Sequence, residues 1–284
     1  GESNLLFVDI HHLVVDGVSW RVLVGDLEVA CEQLLSGREV RLAPASTSFK
    51  RWSELLEERA REESLLERVE EWARPERERA GRLPLDLEGG ENLASSVESV
   101  SVELGPEETR ELLQKLPGAY RTQVNEVLLT GLGTALGEWS GSRWVQVGLE
   151  GHGREEVFEG VDLSRTVGWF TTEGPVLLEV GGDAVQSLRR AKAALHRVGE
   201  RLLEHGLLRH LGPAEVRERL AGLPRAEVSF NYLGQWDNLG GGGAEALVQP
   251  TDEGLMGAQS TDERRQRLVD INAMVVDGRL RVEW

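Results

Sequence analysis

Leu5-Leu6-Phe7-Val8-Asp9-Ile10-His11-His12-Leu13-Val14-Val15-Asp16-Gly17-Val18 is the stretch whose reading decides the fold. Leu5 to Ile10 form a short apolar run, the pattern of a buried strand. A polar segment, His11 to Gly17, follows at once. From Val18 the period changes: Val18, Val22, Leu23, Leu27, Ala30 and Leu34 place one apolar stripe along a helix. Gly37 is a suitable stop. Strand, polar turn and amphipathic helix in succession are the grammar of a mixed α/β chain.

The pattern recurs downstream. Residues 38–50 read as loop, with Pro44 and a Ser/Thr cluster. Residues 51–80 read as one charged helix carrying Trp52, Leu55, Leu56, Leu65, Leu66, Val69 and Trp72 among Glu and Arg, ended or kinked by Pro75. The charge run reads as a solvated face. Gly81, Pro84, Gly89 and Gly90 mark a linker in 81–94, and the main boundary is placed there, giving domains 1–90 and 91–284. Val97 to Leu104 alternates like a strand. Gly105-Pro106-Glu107-Glu108 opens a helix with proline and acids in its first turn. Asn125 to Glu138 reads as an apolar helix with small residues at Gly131, Gly133 and Ala135. Strands are expected at Trp144–Leu149, Val176–Val180 and Glu227–Tyr232, with one or two helices over Ala184–Leu211 and a flexible loop at Gly240–Gly243. Asp277-Gly278 between Leu268–Val276 and Arg279–Trp284 is a type I′ hairpin signal.

Composition narrows the function classes. The 284 residues carry 32 Lys+Arg against 49 Asp+Glu, a net charge of −17, which disfavours nucleic acid and anionic membranes as partners. No run approaches the roughly 20 apolar residues of a membrane-spanning helix. The start, Gly1-Glu2-Ser3-Asn4, has neither the basic nor the apolar part of a signal peptide, and lacks the initiator methionine of a natural N-terminus. The single cysteine, Cys31, excludes an intramolecular disulfide and is expected to be a small buried hydrophobe. Together these features indicate a cytoplasmic protein.

Four clusters could carry chemistry. His11-His12 directly follows the first strand. A histidine there can act as general acid or base, or be merely structural. Asp16 before Gly17 could be simply an N-cap. Glu150-Gly151-His152-Gly153-Arg154-Glu155 also follows a strand, as dense ionisable chemistry or as a polar turn. Metal binding by His11, His12 and His152 matches no standard zinc spacing, and no metal is expected. Arg165-Thr166-Val167-Gly168-Trp169-Phe170-Thr171 could line a cavity or pack in the core. Phe230-Asn231-Tyr232-Leu233-Gly234-Gln235-Trp236 leaves the core as a strand, and Tyr232 could donate to a developing oxyanion or be an ordinary buried tyrosine.

In combination the clusters are specific. His-His-x-x-x-Asp-Gly resembles the signature of the condensation-type superfamily of nonribosomal peptide synthetases and that of the chloramphenicol acetyltransferase-like acyltransferases. The 150–155, 165–171 and 230–235 motifs, with the helix Asn125 to Gly137 between them, resemble the epimerization domain of that superfamily. The resemblance covers essentially the whole chain. It implies an α/β (α+β mixed sheet) chloramphenicol acetyltransferase-like fold of two lobes, with the first lobe incomplete. The family usually continues after Phe170-Thr171 with a Tyr-Pro pair, where this chain has Thr172-Glu173-Gly174-Pro175. It usually has Gly-Tyr-Gly before Gly206-Leu207-Leu208-Arg209, where this chain has Gly199 to His205. The second departure falls on a segment that the resemblance associates with the substrate channel. Members of the family are longer, so the chain is expected to be an internal piece truncated at both ends, and doubtful in stability and activity by itself.

The resemblance implies L-to-D inversion at the α-carbon of an aminoacyl or peptidyl thioester. His12 and Glu150 are the acid/base pair across a cleft between the lobes, with burial raising the Glu150 pKa. Tyr232 is the first candidate for enolate stabilisation and Asn231 the weaker one. Asp16 and Arg154 form a structural ion pair; His11, Gly17 and His152 support, and Trp169, Phe170 and Thr171 line the substrate channel. No cofactor is bound directly, the substrate arriving on the 4′-phosphopantetheine arm of a carrier domain. Partners are a peptidyl carrier domain, the adenylation domain before it and a downstream condensation domain. The competing readings are a condensation domain forming a peptide bond, a dual condensation/epimerization domain, and a degenerate module that only docks a carrier.

Overall fold

The computed structural model describes residues 5–235, 247–248 and 260–284. Trp236 and the Gly240–Gly243 loop lie outside the described residues. The chain separates into two compact units. Of the described residues, the first holds 5–56, 152–171 and 247–248, and the second holds 57–151, 172–235 and 260–284. This grouping differs from a division at 81–94: residues 57–90 pack with the second unit, and 152–171 belongs with the N-terminal segment.

In the first unit Leu5 to Ile10 is not a strand. Leu5, Leu6, Phe7 and Val8 are exposed, and no described strand pairs with them. An apolar run forms a strand only where a ladder partner takes its backbone groups. His12–Val14 makes one 3₁₀ turn, and α1, Gly17–Leu35, follows with Asp16 as N-cap. Its apolar stripe is half-buried and Leu34 is exposed, because no described strand of this unit lies beneath it. Cys31 is likewise only partly buried. Gly37 adopts a positive φ of 66° just past the helix, the stop read from the sequence. α2, Phe49–Arg59, buries Trp52 against Phe158 and Phe170.

The expected helix over 51–80 breaks after Arg59. α3 (Glu63–Leu66), α4 (Val69–Trp72) and a 3₁₀ turn (Pro75–Arg79) replace its second half. Spacing explains the break. Ala60 and Leu65 are both fully buried, yet on a continuous helix at 3.6 residues per turn they would point roughly 140° apart. The interruption turns both inward.

The second unit is built on one six-stranded sheet. Its strands are β1 (Ser101–Glu103), β2 (Trp144–Gly151), β3 (Thr172–Glu179), β4 (Val228–Gln235), β5 (Val269–Val276) and β6 (Arg279–Glu283), in the order β1-β6-β5-β4-β2-β3. β2, β4 and β5 run parallel, and the other pairs are antiparallel. The strand expected over Val97–Leu104 is confined to β1, after a 3₁₀ turn at Ala94–Ser96. The Asp277-Gly278 turn is as expected, with φ of 49° and 70°, both positive as type I′ requires.

Helices complete the unit: α5 (Pro106–Arg110), a π-turn at Glu111–Lys115, α6 (Leu116–Tyr120), α7 (Val124–Ser140), α8 (Ala184–Val198), α9 (Leu202–His210) and α10 (Ala214–Ala221). Strand alternation divides the sheet into two chemistries. One face carries Val145, Val147, Leu149, Val176, Leu178, Val228, Phe230, Ile271, Ala273 and Val275, and forms the core with α7 and α8. α7 approaches closely because it lacks side chains where it meets β3: a Cβ at Gly133 would stand 3.0 Å from Leu178, and one at Gly137 2.3 Å from Val180. The opposite face is the more polar one: it carries Gln146, Glu150, Glu173, Ser229, Asn231 and Asp270, with Trp144, Pro175, Leu177 and Met274 among them. No described helix is long and apolar enough to cross a membrane.

Candidate functional site

The expected site residues fall in both units, and each group is described in its own. In the first unit they converge on Asp16. This carboxylate is 3% exposed. Its Oδ1 accepts from the Ser19 amide at 2.7 Å, capping α1, and its Oδ2 accepts from the Phe170 amide at 3.1 Å. Arg154 Nη2 donates to Oδ1 at 3.1 Å and to Ser19 Oγ at 3.0 Å. Arg154 Nη1 donates to the carbonyls of Leu163 and Thr166 at 2.6 and 2.8 Å, and its guanidinium lies 4.0 Å over the Phe170 ring. Burial pushes the Asp16 carboxyl up, but the donors from Ser19, Phe170 and Arg154 outweigh it and hold the group below its ordinary value. Asp16 is therefore an N-cap and an ion-pair partner at once, tying the histidine motif to the 150–155 and 165–171 motifs.

Ser19 completes this knot and was not singled out in the sequence. Its hydroxyl donates to the Gly168 carbonyl at 2.9 Å and accepts from the Gly168 amide at 3.1 Å. The signal was present, since the residue three after an N-cap is the one whose amide the cap takes. Gly168 is required for this approach: a Cβ there would stand 2.4 Å from the Phe49 ring. Gly17 carries no such demand, with open space where a side chain would go.

His11 and His152 play matching local parts. His11 Nδ1 accepts from the Leu13 amide at 3.1 Å and His152 Nδ1 from the Arg154 amide at 3.0 Å, so each pins a turn. His12 is exposed, with its ring 5.2 Å from that of Trp169. The three residues expected to line a channel separate. Trp169 is 42% exposed beside His12, Thr171 is half-buried, and Phe170 is buried at 4%, packing edge-on against Phe49 at 5.1 Å. Phe170 thus follows the core-packing alternative.

In the second unit the register builds the site. Leu149 pairs with Phe230, which brings the next residues, Glu150 and Asn231, side by side just past the last paired residues of the parallel strands β2 and β4. Asn231 Nδ2 donates to Glu150 Oε2 at 3.0 Å. Tyr232 goes the other way. Alternation turns it to the apolar face, where it packs against the core and burial pushes its phenol up from its ordinary value. Of the two β4 candidates, Asn231 reaches the Glu150 carboxylate and Tyr232 packs on the core side. Glu173 stands directly opposite Glu150 across the antiparallel pair and meets Arg267, neither of which was singled out in the sequence.

The two departures from the family pattern meet in space. A Cβ at Gly174 would stand 2.8 Å from Leu202 and 3.6 Å from both Trp72 and His205. His205 packs on Trp72 with rings 5.0 Å apart, and burial pulls its imidazole down to about 4. Leu202 and His205 thus occupy space that a side chain at 174 would take. Among the described residues no His/Cys/Asp/Glu group could hold a metal ion.

The family model described as Condensation domain matches residues 2–284. A linear gramicidin synthase polypeptide from Brevibacillus parabrevis is 42% identical over 290 residues, covering 99% of this chain and 4% of that protein. The epimerization domain from the third module of tyrocidine synthetase B superposes with a TM-score of 0.85 at 35% identity, over 96% of this chain and 61% of that one. The first condensation domain of the calcium-dependent antibiotic synthetase superposes with a TM-score of 0.68 at 22% identity, over 96% of this chain and 58% of that one, and so shares the fold. The chain therefore spans about three-fifths of either solved domain and a small part of the gramicidin synthase polypeptide. Its fold is the mixed α/β, chloramphenicol acetyltransferase-like one of these domains, and the chain belongs to the condensation-domain family of nonribosomal peptide synthetases.

Proposed function

We propose that this chain epimerizes the α-carbon of an aminoacyl or peptidyl thioester presented on the 4′-phosphopantetheine arm of a peptidyl carrier domain. The observation that carries the reading is Glu150, a carboxylate set at the end of a parallel strand on the polar face of the sheet and met by the Asn231 amide at 3.0 Å. Peptide-bond formation calls on the histidine motif but on no such carboxylate. The 35% identity to a tyrocidine synthetase epimerization domain supports the same choice.

The chemistry is a proton exchange. One of His12 and Glu150 takes the α-proton, the electron pair passes into the thioester carbonyl as an enolate, and a proton returns to the opposite face of the carbon from the other group. The enolate oxygen needs a donor held in place. Asn231 is that donor in our reading, while Tyr232 supports β4 from the core side. The Asp16–Arg154–Ser19 knot fixes the turn that follows His12. The adenylation domain that loads the carrier and a downstream condensation domain are the remaining partners.

The test supplies the chain with a carrier loaded with a single L-amino acid and analyses the released product for chirality. The reading predicts D-amino acid without any second carrier. Product that stays L until a second loaded carrier is added, and then appears as a peptide, would establish condensation instead. Binding with neither reaction would make the chain a docking module.

A further inference from the structure

The acidic side chains on the polar face of the sheet include Glu150 on β2, Glu173 on β3 and Asp270 on β5. Two of them meet arginines from the segment that leads into β5. Arg265 Nη2 donates to Asp270 Oδ2, which stands beside Ser229, and Arg267 Nη2 donates to Glu173 Oε1. Arg267 is well anchored. Its Nη1 donates to the Ala226 carbonyl at 2.9 Å, and its side chain is 14% exposed.

The Arg267–Glu173 bridge crosses β2 at Gly148. A Cβ there would lie 2.5 Å from Glu173 Oε1 and 3.5 Å from Arg267 Nη2, so the glycine clears the way for the pair. Gly148 is two residues before Glu150 on the same face, and Glu173 directly opposes Glu150 in the strand register. Side chains so paired have Cβ atoms about 5 Å apart, and like charges there oppose one another. In this unit the groups around Glu150 include Glu173 from β3, the Asn231 amide from β4, and Arg267 across Gly148, with the Ser229–Asp270–Arg265 cluster beyond.

We propose that Arg267 is a positioning residue for the reaction at Glu150: by holding Glu173 in an ion pair across Gly148, it sets the field in which Glu150 gains and loses its proton. The inference rests on the reading of Glu150 as an acid/base group, but it can be tested without turnover. The probe is the carboxyl ¹³C resonance of Glu150, titrated in the full chain. Arg267→Gln leaves the Glu173 charge uncompensated and raises the Glu150 midpoint by about one pH unit. Glu173→Gln leaves the cation and lowers it. The double variant removes both charges and returns the midpoint close to that of the unmodified chain, which a merely structural contribution would not do. Arg267→Lys restores part of the shift. Where Arg267→Gln does not fold, Glu173→Gln carries the test, since its side chain is 41% exposed. An unmoved midpoint in Glu173→Gln, or a double variant that titrates like Arg267→Gln, overturns the inference. Failure of the functional reading looks different: it is retained α-proton exchange in Glu150→Gln, whatever the titration gives.

Discussion

Replacing Asp16 with alanine tests how the histidine motif is held. The carboxylate is 3% exposed, and the Arg154 side chain it faces is 8% exposed. Asp16→Ala removes the cap on α1, worth about 1 kcal/mol, and leaves a buried guanidinium without its counter-charge, which costs about 3–5 kcal/mol. The two losses share one group and overlap, so the total expected is about 3–5 kcal/mol. Urea unfolding followed by tryptophan fluorescence reads it, because Trp20, Trp52 and Trp169 lie in the same unit. With a slope of about 1–3 kcal/mol/M, the midpoint falls by at least about 1 M. Asp16→Ala/Arg154→Ala should cost less than the sum of the single changes, by roughly 0.5–3 kcal/mol, since the stranded cation leaves as well. pH gives a second reading. The folded-state pKa of Asp16 lies below its ordinary value. Its contribution is therefore complete above the unfolded value of about 3.9 and is lost as pH falls through the lower folded value. Asp16→Ala should remove that part of the acid destabilisation. A single variant within 1 kcal/mol of the unmodified chain, or strict additivity in the double variant, would refute the reasoning.

Three further outcomes follow. Gly137→Ala should destabilise by about 1–3 kcal/mol in urea, because its Cβ would meet Val180 at 2.3 Å, whereas Gly131→Ala, with open space, should stabilise by up to about 1 kcal/mol. Gly174→Tyr alone should destabilise by overpacking against Leu202, Trp72 and His205, and pairing it with Leu202→Ala should recover part of the loss in the same assay. His205, with a folded pKa pulled down to about 4, should make stability fall as pH drops from its unfolded value of about 6.5 toward 4, by at most about 3 kcal/mol, and His205→Phe should flatten that slope.

Periodicity made the second unit legible and the first much less so. The β5–β6 hairpin was readable because Asp277-Gly278 is chemistry local to four residues, and α7 because its apolar period is long. The strand read at Leu5–Ile10 failed because apolarity states a preference for burial, not the partner that supplies it. The 51–80 helix failed because burial of both Ala60 and Leu65 outweighed helix continuity. At the site, the family resemblance pointed to Glu150 and to the Asp16–Arg154 pair, and that pair is present. That Asn231 meets Glu150 while Tyr232 faces the core needed the parallel register of β2 and β4, a relation between residues some 80 positions apart. Arg267 and Glu173 stayed hidden for the same reason: each is an unremarkable charge until the sheet sets them across Gly148.

The central claim is that Glu150 takes part in moving the α-proton. The direct measurement is deuterium wash-in from solvent at the α-carbon of a single L-aminoacyl carrier mixed with this chain. The account predicts wash-in with the unmodified chain, none with Glu150→Gln at unchanged urea stability, and a reduced rate with Asn231→Ala. Undiminished wash-in with Glu150→Gln, or none with the unmodified chain, would contradict it.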